Sequence, residues 1–294
     1  MAYKYKRMTY EILDDGICKI MMNRPEKRNA EDPLMLSEME DAFVNADLDE
    51  EVRVIIFGGE GKDFSAGHDM SGTGEPAMPG SQIARALSTK LTGMEMRVKR
   101  ETYVFMKQAF AMRDVSKPTI AMVQGNCMAG GWMNATVCDL IVASEDAAFC
   151  NPVVRMTPAG GEFNFEAFDL GIRRAKEHLW TGEPITAQEG KELGFVNRVV
   201  PCEKLEEESL KLARIIAMNQ PVSVSLIKRS LNHTWDLMGQ KAAFEYHFLA
   251  HNLSHSSDEA KRWGEERAKA IERGGVKEML KERDGKFKKE TGGY

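Results

Sequence analysis

The sequence predicts an α/β protein whose last third is wholly helical. Two runs, "GICKIMMNRP" and "EVRVIIFGG", are rich in strand formers and close on turn residues. Between them "PLMLSEMEDAFVNADL" places apolar side chains at helical spacing, so the three make a strand–helix–strand unit. The same punctuation returns at "KPTIAMVQGN" and "CDLIVASEDAAF", which read as further ββα-like modules without a detectable sequence repeat. From about Lys204 the helical period takes over, with helices expected over 205–218, 221–237, 241–253 and 258–273. Pro221 suits a first-turn position. The expected organisation is therefore a core over 1–203 and a helical region over 204–294, with a tail that frays.

Individual elements have local causes. In "ITAQEGKELGFVNRVVP", Thr186 and Glu189 form a capping box, Gly194 stops the helix, and a short strand runs to Pro201. The segment "SGTGEPAMPGSQIARALS" is rich in Gly, Pro and Ser, and reads either as a disordered surface insertion or as a lid over a site.

Composition narrows the function classes. With 43% hydrophobic residues among 294, the chain has ample material for a packed core. Forty Lys and Arg against 45 Asp and Glu give a net charge of −5, so no global field favours nucleic acid or an anionic membrane. Five scattered cysteines include no C-x-x-C pair, which points to free thiols in a reducing cytoplasm. Neither a secretory leader nor a run of about 18 apolar residues is present, so no membrane insertion is expected.

Two glycine turns carry the chemistry. "FSAGHDM" and "MAGGWM" each follow a buried strand, where small residues let something approach the backbone. Paired, their free N–H groups would form an oxyanion hole, with each donor worth roughly 3 to 4 kcal/mol when water is excluded. Taken singly, each glycine need only ease a tight turn. His247, His251 and His255 recur every fourth residue, but no neighbouring carboxylate pattern completes a zinc set, so no metal is expected. A G-x-G-x-x-G after the first strand is also missing.

Taken in order, "NRPEKRNA", "FSAGHDM", "VQGNCMAGGWMNATVCDLIVASEDAAF" and "TGEPITAQEGKELGFVNRVVP" resemble the crotonase superfamily, the enoyl-CoA hydratase/isomerase family, over nearly the whole chain. The resemblance implies a crotonase-like spiral of ββα units with a helical C-terminal trimerisation region, assembled as a homotrimer or a dimer of trimers. It implies an acyl-CoA thioester substrate, with coenzyme A part of that substrate and no separate cofactor. By the same resemblance, the amides of His68 and Gly130 hold the thioester oxygen. Ser65, Ala66, Asp69 and Met70 would line the adenine and pantetheine side, with Gly131 beside them, and Lys286 from a neighbouring subunit would meet the phosphates.

In hydrating members two glutamates flank a water; the matching positions here are Met133 and Val153, lining the acyl pocket. Two-glutamate hydration is therefore not expected, since each proton-transfer group contributes about 100 to 10,000-fold. Glu162 lies within one residue of the aspartate that superfamily dehalogenases and ring-forming synthases use, and is the candidate acid, base or nucleophile. Its other reading is a helix-start carboxylate. Glu166 and Asp169 are expected to face solvent or pair with Arg173 and Arg174. Glu101, Tyr103 and the methionines 94, 96, 106 and 112 wall the pocket or pack in the core. Three functions stay open: a hydratase or lyase acting on an unusual, cyclic or aromatic enoyl-CoA; hydrolytic C–C cleavage or decarboxylation; or a CoA-ester-binding pseudoenzyme.

Overall fold

The computed structural model describes residues 4–156 and 159–291. A six-stranded sheet is built from β1 (Met8–Ile12), β2 (Ile17–Met22), β3 (Val54–Gly59), β4 (Thr119–Val123), β6 (Leu140–Ser144) and β9 (Arg198–Val200), side by side in that order. Only the β1–β2 pair is antiparallel. A smaller sheet joins β5 (Asn126–Met128), β7 (Ala148–Cys150) and β8 (Ile185–Thr186). Strand β3 is buried at every position and β2 at every position but Lys19, because a parallel sheet is covered on both faces.

Period-two alternation sorts β3 between two cores. Ile55 and Phe57 enter the main core with Phe43, Phe64 and Trp132; Val54 and Ile56 enter a second one with Ile17, Ile120 and Val142. Helix α1 (Pro33–Leu48) covers the first face; Asp32 caps it by accepting from Met35 N, and it buries Met35, Met39 and Phe43. The second face is covered by α9 (Leu205–Ala217), through Leu205 and Ala213.

The soft segment is neither disordered nor free. Ser81 caps α2 (Gln82–Leu87), and Ile83 and Ala77 pack on Leu36 and Val104. Glu75 pairs with Lys6 and Arg7, and so ties the preceding stretch to the body. Next come α3 (Gly93–Glu101), a π-helical turn at Thr102–Met106 and α4 (Lys107–Arg113). Helix α5 (Gly130–Thr136) follows β5; α6 (Glu166–Asp169) and α7 (Ile172–Thr181) follow β7. Helix α8 (Ala187–Leu193) has the expected capping box and a left-handed Gly194 at its end.

Helices α10 (Pro221–Leu237) and α11 (Gln240–Ser254) fall where the periodicity puts them. The tail differs from its expectation: α12 (Asp258–Thr291) breaks at Gly274–Gly275 and then stays helical, braced by Arg273–Glu282 and Arg155–Asp284 pairs. All five cysteines are free, four of them buried. Among the described residues no helix is long and apolar enough to cross a membrane.

Candidate active site

The two glycine turns meet. Asn29 holds the first by donating its amide to the carbonyls of Glu60, Asp63 and Phe64, at 3.0, 2.9 and 3.1 Å. Residues 65–69 then run between two neighbours: Ser65 bridges to Cys127, and His68 bridges to Glu31. Glu31 N donates to Gly67 O and Asp69 N to Glu31 O, both at 2.9 Å, which leaves the His68 N–H on the opposite edge. That edge faces the start of α5. A Cβ on Gly67 would lie 2.8 Å from Met128 O and 3.2 Å from Gly130 N, so only glycine permits the approach. Gly131 has the same constraint, with Ser65 Cβ 2.6 Å from where its own Cβ would sit.

Among the described residues, neither His68 N nor Gly130 N has an acceptor. Gly130 is presented by Ala129, whose φ of 47° and ψ of −112° are unusual for a residue with a side chain. Ala129 N is anchored on Cys150 O at 2.8 Å.

The His68 side chain folds over Gly130 between two carboxylates. Its Nδ1 is 3.0 Å from Glu31 Oε2 and its Nε2 is 3.8 Å from Glu162 Oε1. Both are short ion-pair contacts that fall outside full hydrogen-bond alignment. Burial alone would push the imidazole pKa down; the hydrogen-bonding reach and charges of Glu162 and Glu31 outweigh it and hold it up to about 10. The reverse balance applies to Glu162, where burial pushes up but His68, with a smaller part from His251, pulls it down to about 2. The pairing therefore favours the charged form of each partner, imidazolium at His68 and carboxylate at Glu162. Their side chains keep 24% and 15% exposure, while both imidazole nitrogens of His68 are buried. Phe105 stacks on the imidazole at 4.3 Å between centroids.

Glu31 has no counterpart in the sequence expectations. It is buried, and its other oxygen is held by the Ser65 hydroxyl at 2.9 Å and the Asn134 amide at 3.1 Å. No local pattern marks it, because its partner His68 is brought by a bridge between distant segments.

The remaining expected residues are placed differently from one another. Ser65 is fully buried and its hydroxyl also accepts from Gly67 N, so it braces the turn from inside and exposes no surface to a ligand. Asp69 pairs with Arg24 at 2.6 Å and accepts from Ser71 N at 2.8 Å. Ala66 is exposed and Met70 half-buried. Met133 is buried in the main core, and Val153 is half-buried in a 3-10 turn at Pro152–Arg155. Lys286 is exposed on α12, in a groove it shares with Arg155, Met156, Trp263 and Arg283.

Three expectations need correction. Glu166 does not face solvent: it is 0% exposed and accepts from the Asn151 amide at 2.6 Å. Asp169 bonds the Thr136 hydroxyl, while Arg174 pairs with Glu177 and Glu189. Burial pushes both carboxyls up to about 7. The methionine stripe divides, with Met106 and Met112 in the core and Met94 and Met96 half-buried outside it. Finally, the histidines of α11 do have a carboxylate: Glu101 from α3 reaches His251 Nε2 at 3.2 Å. Tyr103 lies under the Lys107 ammonium, 4.1 Å from its ring centroid.

Comparisons with known proteins agree with this architecture. The family model described as Enoyl-CoA hydratase/isomerase matches residues 13–274. The Mycobacterium tuberculosis protein EchA13, provisionally named an enoyl-CoA hydratase, is 36% identical over 269 residues, spanning 89% of this chain and 83% of that protein. A crystal structure from Mycobacterium thermoresistibile, also provisionally named an enoyl-CoA hydratase, superposes with a TM-score of 0.76 at 38% identity, covering 85% of this chain and 96% of that one. An enoyl-CoA hydratase/isomerase from Xanthobacter autotrophicus Py2 gives a TM-score of 0.82 at 29% identity over 96% and 99% of the two chains. With its motifs matched in order and its spiral fold shared, this chain belongs to the enoyl-CoA hydratase/isomerase family of the crotonase superfamily.

Proposed function

We propose that this family member binds an acyl-CoA thioester with its carbonyl oxygen against the amides of His68 and Gly130, and stabilises the enolate formed there. The reaction we favour is hydration, or the reverse elimination, of an unusual enoyl-CoA with a cyclic or aromatic acyl group. One observation carries this reading: a carboxylate and an imidazolium, Glu162 and His68, sit side by side at the hole, where the resemblance equates the two usual glutamate positions with Met133 and Val153. An ionised Glu162 suits a base that takes the proton of water, and the His68 Nε2–H suits the return of a proton to the α-carbon. Glu31 keeps the imidazole charged and oriented, as a positioning residue.

Glu162→Gln is the test. Turnover of the responsive thioester should fall by about 100 to 10,000-fold, while binding of a non-reactive CoA thioester stays within about threefold; turnover that persists within threefold removes Glu162 from the role. The charge of His68 also supports a second reading, since a fixed cation beside the hole suits a carboxylated acyl group undergoing decarboxylation or C–C cleavage. A panel of enoyl, β-oxo and malonyl-type thioesters separates the two. Binding without turnover across the panel would leave a pseudoenzyme.

A homotrimer, or a dimer of trimers, belongs to the same proposal. Ile227, Leu231 and Trp235 form an exposed apolar stripe along α10, continued by Met238 just past its end, supporting a neighbour there. Cytoplasmic location rests on the five free thiols.

A further inference from the structure

Helices α3 and α11 are joined by side chains that the proposed chemistry does not use. Glu101 closes α3 and is 8% exposed; His251, on α11, is 3% exposed; His255 caps the same helix one turn on and is half-buried. Their donor atoms all lie within 4.8 Å of one another. His251 Nε2 stands 3.2 Å from Glu101 Oε2 and 3.3 Å from His255 Nε2. Ligands about 2.0 to 2.1 Å from a tetrahedral zinc ion are spaced about 3.3 Å apart, so both separations have the length of an edge of that polyhedron.

The surrounding partners fit the same assignment. His251 Nδ1 faces Gly160 O at 3.2 Å. A carbonyl only accepts, so Nδ1 carries the proton and, in the neutral ring, Nε2 turns its lone pair to Glu101 and His255. Glu101 Oε1 is bound by Arg97 at 2.7 Å, whereas Oε2, the oxygen aimed at the histidines, is buried without a hydrogen bond. His247, one turn earlier, is excluded because Gly161 O and Asn164 engage both its nitrogens. The charged groups around the cluster are Arg97 and Glu162, of opposite sign.

We propose that Glu101, His251 and His255 bind one divalent transition-metal ion of the zinc class, fastening α11 to α3 and leaving a fourth position for water. The ion would hold α11 against the Gly160–Gly161 carbonyls, directly before Glu162 in the chain. This inference does not depend on which acyl-CoA reaction the protein catalyses. The competing arrangement is a proton in place of the metal, with His251 as an imidazolium shared between Glu101 and His255.

The test uses the full-length chain without a histidine tag, stripped with a chelator and titrated with cobalt(II). Expected are uptake near one equivalent per chain, the visible bands of four-coordinate cobalt, displacement by zinc, and a higher melting temperature with metal than without. His255→Gln and the isosteric Glu101→Gln should each weaken uptake by more than the roughly 10 to 100-fold that loss of an outer partner costs. His247→Gln should leave it within about threefold, because that ring holds no ligand position. Each variant's melting temperature without metal reports whether it folds. Absence of uptake and bands in the wild-type chain, or uptake unchanged in both folded ligand variants, overturns the proposal in favour of the protonated pair.

Discussion

The candidate site has two walls of opposite construction. One is main chain: the turn at Gly67–His68 lies on the turn at Ala129–Gly131, so closely that a Cβ on Gly67, Gly130 or Gly131 would come within 2.8 Å of a neighbouring atom. The other is side chain: Glu101, His247 and His251 reach across from α3 and α11 to each other and to the loop that carries Glu162. The first wall fixes two amides by leaving no space, and the second fixes charge by pairing it. An added atom should therefore disable the first, whereas a change of protonation should be felt across the gap between them.

Four substitutions put that contrast to the test. The largest effect should come from beneath the main-chain wall, where Trp132 is fully buried and packs against Phe149 and Phe165 at 5.7 and 5.2 Å between centroids. Trp132→Ala should lower unfolding stability by about 3 to 5 kcal/mol, read from urea denaturation; a loss below about 1 kcal/mol would mean that α5 is supported otherwise. Gly130→Ala places a Cβ 2.6 Å from His68 Cε1 and 2.8 Å from Glu31 Oε2. It should reduce turnover on the order of 100 to 1,000-fold, the value of one oxyanion donor; near-normal rates would separate the hole from this turn.

Across the gap, the His68–Glu162 contact makes stability depend on pH. His68 is raised from 6.5 to about 10, so its contribution is complete below 6.5 and is lost as pH rises through about 10. Glu162 is lowered from 4.5 to about 2, so its contribution is complete above 4.5 and is lost as pH falls through about 2. The pair should stabilise most between 4.5 and 6.5. In His68→Gln the decline in melting temperature above 6.5 should flatten, and an unchanged decline would assign it to other groups. The smallest effect is expected outside both walls. Lys286→Ala on exposed α12 should raise KM for a CoA thioester by no more than a few-fold and leave kcat unchanged, as the loss of a single solvated cation does; an unaltered KM would detach Lys286 from the phosphates.

How legible each wall was in the sequence follows from the range of its causes. Glycines at turns, the Thr186–Glu189 box and the helical period of α9 to α11 are local, and the residues that specify them are neighbours in the chain. The pairing of His251 with Glu101 joins α11 to α3, and that of His68 with Glu31 joins two separate turns, so spacing within one segment reveals neither. Glu166 and Asp169 were misleading for a related reason. Beside two arginines they look solvated, but Asn151 and Thr136 offer hydrogen bonds inside the fold and compensate their burial. The 71–88 segment has loop composition, yet two of its few apolar residues, Ala77 and Ile83, suffice to seat it on α1.

Ala129 has a consequence of its own. Its torsion angles cost on the order of 1 to 3 kcal/mol, and they aim the Gly130 amide. Selection for heat resistance alone would relieve that tension with a glycine and, in doing so, let the donor wander. Thermal endurance and catalytic rate are here set against each other by the rotation of one peptide unit.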